Sequence, residues 1–319
     1  MMSVTIFKLK QKIWYISFLA IAYTNYHIRK LFKRGESALF YKKIIVSFKK
    51  GFDSVYIYNK YPSNFIKKKD RLVVYTCLYG NDDVPKKIHC QSKYCDYFIF
   101  TDQTVDKKTG WTKLDFMFPE KLGCLSNVQK NRFIKMHPHL LFPDYKYSLY
   151  VDSKLILKND VYSLLARINN GVFGFFKHVK RRCLYKEAEM CIAAKGQNVD
   201  FVNLQMSNYK KDGFPPNYGL TENSIILRQH MNPICIKIME EWWLEFNNKV
   251  YSKRDQLSLM YVFWKNGLCF EDVAVLGENF TFDKRFEYRF HLKDDPLQKE
   301  RYCLYLPGIG QLSTYKWIR

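Results

Sequence analysis

The residue with the clearest chemical potential is Asp152, a carboxylate that ends an apolar stretch of the chain. Leu149–Val151 precede it and neither glycine nor proline interrupts residues 145–157, so the sequence predicts a buried strand that stops at the acid. In open α/β sheets, ligands bind beyond the carboxyl ends of strands. A single aspartate there can hold a divalent cation, which neutralises a diphosphate. The alternative is that Asp152 caps a turn before the apolar run at 155–157.

Two basic residues, Arg132 and Lys135, offer a second kind of chemistry, because their side chains bind phosphate. They lie in a predicted helix from Ser126, a plausible N-cap, to His137, and Pro138 ends the pattern. Spaced three residues apart, they share one face of that helix and could reach the same phosphate. The alternative is an ordinary solvated basic face.

A sheet with flanking helices is predicted to position these side chains. The expected strands are Leu72–Leu78, Tyr97–Phe100, Val172–Phe176 and Ile225–Arg228. The first two end in polar loops that contain aspartate, as in nucleotide-binding α/β folds. The expected helices lie near 161–167, from Tyr185, over Ile234–Phe246 and from Lys253 to Trp264. Neither G-x-G-x-x-G nor G-x-x-x-x-G-K-[ST] occurs, which argues against a dinucleotide fold and a P-loop.

Composition restricts the class of protein further. A chain of 319 residues with 47% hydrophobic residues can bury a full α/β core. The net charge of +22 indicates an anionic partner, which could be nucleic acid, a membrane surface or a phosphorylated substrate. Nine irregularly spaced cysteines, without a C-x-x-C pair, argue against a disulfide framework and favour a reducing compartment.

Residues 1–70 are distinct from the domain expected at 71–319, since they form a basic, aromatic-apolar segment and a linker. The apolar run Ile13–Tyr23 is shorter than the roughly 20 residues of a spanning helix. Lysine and arginine flank it, which favours a helix lying on the anionic, cytoplasmic face of a membrane. The alternatives are an amphipathic helix packed on the domain and a single-pass anchor. A signal peptide is disfavoured by the dense positive charge that follows the run.

Several spaced motifs occur together in the second part of the chain. They are Val74-Tyr75-Thr76 with Tyr79-Gly80, Phe100-Thr101-Asp102, Asn131-Arg132 with Lys135, Pro138-His139 and Phe142-Pro143, Tyr150-Val151-Asp152-Ser153-Lys154, Lys177-His178 with Arg182-Cys183 and Tyr185-Lys186-Glu187-Ala188, Gly219-Leu220-Thr221-Glu222-Asn223, and Arg254-Asp255-Gln256-Leu257-Ser258. In this order they resemble a glycosyltransferase-like family of bacteria and plants, named after plant turgor-regulation-defect and mucilage-related proteins. The resemblance covers roughly residues 71–276.

The resemblance implies a fold and an activity. The fold would be α/β: a single GT-A-like (Rossmann-like) domain with a mixed, mainly parallel central sheet, preceded by the basic N-terminal helical segment. The activity would be transfer of a sugar from a nucleoside-diphosphate sugar to a glycan or lipid-linked acceptor in surface polysaccharide synthesis. The implied partners are the nucleotide sugar, the acceptor and an anionic membrane surface, with no nucleic acid.

The same resemblance assigns roles to individual residues. Glu222 and Asp255 are the catalytic candidates by motif position, although Asp255 could also cap the first turn of a helix. Arg254 and Gln256 are candidates for contact with the acceptor or the sugar. The expected nucleotide-sugar contacts are Tyr75, Thr76, Asp102, Arg132, Lys135, Asp152, Lys154 and His178.

A metal requirement is left open by one departure from the pattern. Many GT-A enzymes carry Asp-x-Asp at the strand end, whereas this chain has Asp152-Ser153-Lys154. Mn²⁺ or Mg²⁺ is one expectation, with Asp152 and His291 as ligands. The other is that Lys154 offsets the phosphate charge where a second carboxylate would have held the ion.

Two further classes of protein compete with the transferase. The imperfect Asp-Ser-Lys motif permits a non-catalytic scaffold of the same fold in a polysaccharide assembly. The charge and the aromatic content also permit a basic nucleic-acid-binding protein, although no recognisable binding module occurs.

Overall fold

A computed structural model describes residues 70–168, 171–288, 303–306 and 310–313. The strands are β1 (Leu72–Leu78), β2 (Cys95–Thr101), β3 (Thr112–Leu114), β4 (Tyr147–Val151), β5 (Leu155–Leu157), β6 (Phe173–Lys177), β7 (Thr221–Arg228), β8 (Phe286–Tyr288), β9 (Cys303–Leu306) and β10 (Gly310–Ser313). Six of them form the central sheet, β5 pairs with β8, and β9 pairs with β10. The N-terminal segment and His291 lie outside the described residues.

The central sheet has the order β3-β2-β1-β4-β7-β6. β1 pairs parallel with β2 and with β4, β2 pairs parallel with β3, and β7 alone runs antiparallel to its neighbours β4 and β6. This confirms the predicted mixed, mainly parallel α/β sheet. After β1 the chain adds β2 and β3 on one side of β1, and it then adds β4 on the other side. The carboxyl ends of β1 and β4 therefore flank a topological switch point, where such sheets bind ligands.

The two faces of the sheet pack against separate halves of the core. Along β1, Val73, Tyr75 and Cys77 join one buried cluster, while Leu72 and Val74 join the other. This alternation follows from the two-residue period of a strand, and burial on both faces explains why β1 is a continuous apolar run.

The helices cover these faces and provide much of the site. They are α1 (Asn127–Met136), α2 (Pro138–Leu141), α3 (Leu165–Ile168), α4 (Leu184–Lys195), α5 (Val199–Lys211), α6 (Pro233–Asn247), α7 (Leu259–Lys265) and α8 (Phe270–Val273). Short 3₁₀ helices occur at Lys107–Thr109, Glu120–Leu122, Tyr162–Leu164, Asp255–Leu257 and Phe280–Phe282. No helix in the described part of the chain is long and apolar enough to cross a bilayer.

The N-terminus of α1 confirms the helix start predicted at Ser126. The Ser126 hydroxyl accepts from the backbone N–H of Gln129, and the Gln129 side chain accepts from the Ser126 N–H. This reciprocal capping box satisfies two backbone donors that have no intrahelical partner. It fixes the start of the helix that carries Arg132 and Lys135.

Two elements differ from the sequence prediction in ways that matter for the site. The helix expected from Lys253 to Trp264 is divided, since a 3₁₀ turn over Asp255–Leu257 ends at Ser258 before α7 begins. The strand expected from Ile225 begins four residues earlier, at Thr221, so Glu222 lies in β7 rather than in a loop.

Candidate functional site

Asp152 lies directly after β4, in a turn that its main chain closes. The Leu155 N–H donates to the Asp152 carbonyl at 2.9 Å, while the Asp152 carboxylate accepts from the Tyr150 hydroxyl at 2.9 Å. Tyr150 and Asp152 are two residues apart, so strand alternation brings both side chains to one face. The carboxylate therefore does not cap the turn, which removes the main support for the alternative reading of Asp152.

The surroundings of the Asp152 carboxylate are cationic. Lys154 Nζ lies 3.6 Å from Oδ2 and Lys135 Nζ lies 3.9 Å from Oδ1. Burial raises the pKa of this carboxyl, but the positive charges of Lys135, Lys154 and Arg132 outweigh it and hold the pKa below its ordinary value. Asp152 is therefore ionised at neutral pH.

A second carboxylate, Asp255, lies in the same charge cluster. Lys135 Nζ donates to its Oδ2 at 2.6 Å, and Arg132 Nε lies 3.2 Å from its Oδ1. The Trp242 indole N–H donates to the Asp255 carbonyl at 3.0 Å and fixes the turn. Burial raises the pKa of the Asp255 carboxyl, yet Arg132 and Lys135 together hold it far below the ordinary value.

Lys135 joins the two carboxylates from the interior. Its side chain is only 2% exposed, and its ammonium group lies over the rings of Tyr150 and Trp242. Its carbonyl accepts from Arg228 at 2.8 Å and from the Tyr75 hydroxyl at 3.1 Å. The position of Lys135 in the quoted motifs predicts a contact with a nucleotide sugar. Its burial and its bond to Asp255 instead make it a residue that holds Asp152 and Asp255 in place.

Three other cations of the cluster are partly exposed. Arg132 and Lys154 have side chains 22% and 26% exposed, and Arg254 is also partly exposed. The Nε of Arg254 is buried without a hydrogen-bond partner, and none of the described carboxylates lies within ion-pair distance of this side chain. With Lys135, these cations outnumber Asp152 and Asp255 by two charges, so the cluster can accept an anion.

Glu222 lies at the start of β7, next to this cluster. The Ser224 hydroxyl donates to Glu222 Oε1 at 2.6 Å, and the Asp152 N–H donates to the Ser224 carbonyl at 2.8 Å. Burial lowers the pKa of Lys154, but the neighbouring Asp152 carboxylate, the Tyr288 phenol and the Glu222 carboxylate outweigh it and raise the pKa. Glu222 is therefore near Lys154 and partly exposed.

The two catalytic candidates have different surroundings. Asp255 is 4% exposed, bonded to Lys135 and strongly acidic, and a carboxylate with so low a pKa is a poor proton acceptor. Glu222 forms no ion pair among the described residues. Its environment fits a base or an orienting group better, whereas Asp255 is suited to positioning Arg132 and Lys135. Like Asp152, Asp255 does not use its carboxylate as a helix cap.

Tyr75 and Thr76, two of the predicted nucleotide contacts, lie inside a strand and not at its end. Tyr75 and Thr76 were expected at a strand end, but β1 continues to Leu78, and both residues are buried within it. The Tyr75 hydroxyl accepts from Arg228 at 2.5 Å and donates to the Lys135 carbonyl. Its role is therefore in the core, beneath α1.

Asp102, at the end of β2, lies apart from the cationic cluster. Both of its carboxylate oxygens accept from the Gly80 N–H at 3.1 Å. It lines a cavity of about 610 Å³ with Asn81, Asp83 and Gln103, among other residues. The carboxyl ends of β1 and β2 thus form a second concave region at the same sheet edge.

The remaining candidates have partners that fix the local chain. His178 Nδ1 accepts from the Arg181 N–H at 3.1 Å, which orders the turn after β6. The Gln256 side chain is buried and donates from Nε2 to the Thr221 carbonyl at 2.7 Å, which connects the 3₁₀ turn to β7. Gln256 therefore positions the strand that carries Glu222, and the Nε2 of its buried amide is already bonded to that strand.

A divalent cation does not fit the described residues of this cluster. Each carboxylate oxygen of Asp152 and Asp255 already faces a cation or the Tyr150 hydroxyl, whereas Mn²⁺ or Mg²⁺ needs several oxygen ligands with negative or neutral surroundings. Across the part of the chain that the structure describes, no three His, Cys, Asp or Glu side chains come together as a metal site requires.

Sequence reasoning missed four residues of the site: Tyr150, Arg228, Trp242 and Tyr288. Tyr150 could have been found, because it lies two residues before Asp152 in a strand and must share its face. Arg228 and Trp242 belong to apolar segments and gave no signal of their own. Tyr288, whose ring lies beneath the Lys154 ammonium at 5.2 Å, follows Ser258, the last residue of the quoted motifs, by 30 residues.

Comparison with known proteins agrees with the resemblance seen in the motifs. The model of the TOD1/MUCI70 glycosyltransferase-like domain matches residues 37–274. The chain belongs to this family. The match begins before residue 71 and includes every motif quoted above.

A curated plant relative supports the assignment. The chain is 32% identical over 218 residues to "Probable hexosyltransferase MUCI70" of Arabidopsis thaliana. This match covers 60% of the chain and 37% of the relative, so the chain spans well under half of that protein's length.

Distant solved structures are also glycosyltransferases. The bifunctional glycosyltransferase WbbM aligns with a TM-score of 0.42 and 12% identity over 61% of this chain and 38% of the other. The mannosyltransferase Ktr4p of S. cerevisiae, solved with GDP, aligns with a TM-score of 0.35 and 9% identity over 71% and 78%.

Proposed function

We propose that this chain transfers a hexosyl group from a nucleoside-diphosphate sugar to a hydroxyl of a glycan or lipid-linked acceptor, in the synthesis of a surface polysaccharide. The observation that carries the proposal is the cationic cluster around Asp152 at the β1/β4 switch point. Its excess of positive charge suits a diphosphate, and its carboxylates suit the hydroxyls of a sugar. The family and the plant hexosyltransferase support the same reaction class.

The leaving group of this reaction is a nucleoside diphosphate, which gains negative charge as the sugar departs. Lys154, Arg132 and Arg254 are the partly exposed cations that would bind it. Fixed charges of this kind stabilise a transition state because they need no reorganisation during the reaction. Asp152 would orient Lys154 and contact the donor sugar. Lys135 and Asp255 would hold Asp152 and Arg132 in position.

The acceptor hydroxyl must lose a proton as it attacks the anomeric carbon. Glu222 is the carboxylate we assign to that step, as a base or as the group that orients the hydroxyl. It lies next to Lys154, so an acceptor bound there would meet the donor at the end of β4. Gln256 and Ser224 hold the strand and the side chain in place.

We further propose that the cationic side chains take the role that Mn²⁺ or Mg²⁺ has where a second carboxylate is present. Lys154 stands where an Asp-x-Asp motif would supply that carboxylate, and its ammonium lies 3.6 Å from Asp152. In this proposal the positively charged residues of the chain bind the donor, the acceptor and the membrane surface, and they do not bind nucleic acid.

A thermal-shift screen of the full chain against nucleotide sugars, with and without manganese, tests this function. Ligands that bind the native state raise its melting temperature by mass action. We expect at least one nucleotide sugar to stabilise the protein more than its free nucleoside does, and transfer to an acceptor to follow with that donor. Binding without transfer to any acceptor would favour the non-catalytic scaffold, and no binding at all would reject the transferase.

Membrane association is a separate proposal that rests on the sequence of residues 1–50. We propose that the aromatic-apolar run Ile13–Tyr23, with its flanking basic residues, holds the protein on the cytoplasmic face of an anionic membrane. The full chain should float with anionic liposomes. Replacing Arg29, Lys30, Lys33 and Arg34 by glutamine should weaken flotation, and unchanged flotation would contradict the proposal.

A further inference from the structure

The loop between β6 and α4 brings a second group of cations to the edge of the sheet where Glu222 lies. In the β6–β7 pair, Phe176 is opposite Glu222 and Lys177 is opposite Thr221. The loop therefore begins two residues beyond Phe176, the cross-strand neighbour of Glu222.

Both ends of this loop, residues 178–182, are tied to the segment that leads into Glu222. The His178 N–H donates to the Leu220 carbonyl at 2.7 Å, and the Gly219 N–H donates to the Arg182 carbonyl at 3.0 Å. On its other side, the same segment is held by Gln256. Glu222 thus lies between the turn that carries Arg254 and the loop 178–182.

The loop is organised by a fully buried acid. Glu187, on α4, accepts from Arg181 Nε and lies 3.8 Å from His178 Nε2. The backbone N–H groups of Lys180 and Arg181 point to His178 Nδ1, at 3.4 and 3.1 Å. These contacts turn the Arg181 side chain inward and fix the main chain on either side of it.

Lys180 and Arg182 point the other way. Both are exposed, and neither side chain has an acidic partner within ion-pair distance among the described residues. Next to them, Arg181 pairs with Glu187, and Lys177, the last residue of β6, pairs with Glu278. Of these four cations, Lys180 and Arg182 are therefore the two that stay in solvent. These two positive charges, which lie beside the proposed base Glu222 and have no acidic partner, are suited to binding a negatively charged acceptor.

We propose that the acceptor is an acidic glycan, whose carboxylate groups bind Lys180 and Arg182 while its reacting hydroxyl lies at Glu222. This inference rests on the proposed transferase function and names the chemical class of its acceptor. The donor uses the cations around Asp152, and the acceptor uses those of loop 178–182. Glu222 lies between the two sets, so a chain bound across the loop would present its hydroxyl to the donor.

The test compares two labelled polymers of equal length, carboxymethyl-dextran and neutral dextran, by fluorescence anisotropy with the full chain. The wild type should bind the carboxylated polymer more tightly than the neutral one. Lys180→Gln/Arg182→Gln should weaken binding of the carboxylated polymer by about tenfold, as expected for the loss of two surface ion pairs. A matched control is Lys107→Gln/Lys108→Gln, which removes two exposed charges before β3, at the opposite edge of the sheet.

Selective loss in the loop variant supports the acidic acceptor. Equal loss in both variants would show binding through net charge alone, and no preference for the carboxylated polymer in the wild type would also overturn the proposal. Stabilisation by the nucleotide sugar should be unchanged in the loop variant, which separates the two questions. If no nucleotide sugar stabilises even the wild type, the transferase function itself fails and the acceptor proposal fails with it.

Discussion

Lys135 donates a 2.6 Å hydrogen bond to Asp255 across 120 residues of sequence, and both side chains are almost fully buried. This bond connects α1 to the 3₁₀ turn at Asp255–Leu257. Removing one member of a buried ion pair costs about 3–5 kcal/mol, because it leaves the other charge without its partner in the interior. We therefore expect Lys135→Met and Asp255→Leu each to lower the free energy of unfolding strongly.

The double variant Lys135→Met/Asp255→Leu should lose less stability than the two single variants together, since it leaves neither charge behind. Urea unfolding of the four proteins measures this coupling. The exposed pair Lys186–Glu189 provides the control, and the same cycle there should show little change. Additive losses at Lys135 and Asp255 would mean that the two residues do not act as a pair.

Asp152 is expected to matter for transfer and much less for folding. Asp152→Asn keeps an acceptor for the Tyr150 hydroxyl but removes the charge that faces Lys154 and the donor. Transfer should fall by roughly a hundredfold or more, the usual effect of losing one charge contact in a transition state, with only a small change in melting temperature.

The control for Asp152 is Asp106→Asn, because the Asp106 carboxylate does cap a turn by accepting from the Lys108 N–H at 2.8 Å. Asparagine and aspartate cap about equally well, so this variant should remain fully active and stable. Full activity of Asp152→Asn would contradict the role assigned to Asp152.

Much of the fold could be predicted because its signals are local. The apolar run that predicts β1 and the Ser126 cap that predicts the start of α1 are each contained within a short stretch of sequence. Asp152 could be found for the same reason, since a carboxylate ending an apolar strand is a local pattern.

The rest of the site depends on contacts that no local pattern contains. Tyr75 belongs to a motif, yet its register in β1 turns it into the core towards Arg228. The distinction between Glu222 and Asp255 depends on Lys135, which lies 120 residues from Asp255. Such partners emerge only when α1, β4 and the 3₁₀ turn come together.

Lys154 is expected to replace a metal ion at the diphosphate. Lys154→Met should weaken binding of the nucleotide sugar and leave binding of the free nucleoside almost unchanged. The reason is that only the nucleotide sugar has phosphates for Lys154 to contact. Wild-type transfer should survive EDTA. Titration calorimetry with both ligands and an assay with chelator measure these outcomes.

Two results would contradict the role of Lys154. One is transfer that stops in EDTA and returns with manganese, which would assign the charge role to a metal. The other is an equal loss of affinity for nucleotide sugar and nucleoside. Lys113→Met serves as the control, since this lysine lies on the edge strand β3.

His230 is expected to make the stability of the domain depend on pH. It is fully buried after β7, and its Nε2 donates to the Phe142 carbonyl at 2.8 Å. Burial, with a smaller contribution from the positive charge of Arg228, lowers the pKa of His230 from 6.5 to about 4. The folded protein therefore holds this ring neutral at a pH where the unfolded chain protonates it.

The sign of the effect follows from proton binding. Between pH 6.5 and about 4 the unfolded state binds a proton at His230 that the folded state does not, so stability falls as the pH falls through this window and is unaffected above it. The shift corresponds to roughly 3 kcal/mol at the acid end. Urea unfolding of wild type and His230→Asn over this range should show that the variant loses this part of the pH dependence. His89→Gln, at an exposed histidine, should keep the wild-type slope, and an unchanged slope in His230→Asn would mean that other groups cause the acid sensitivity.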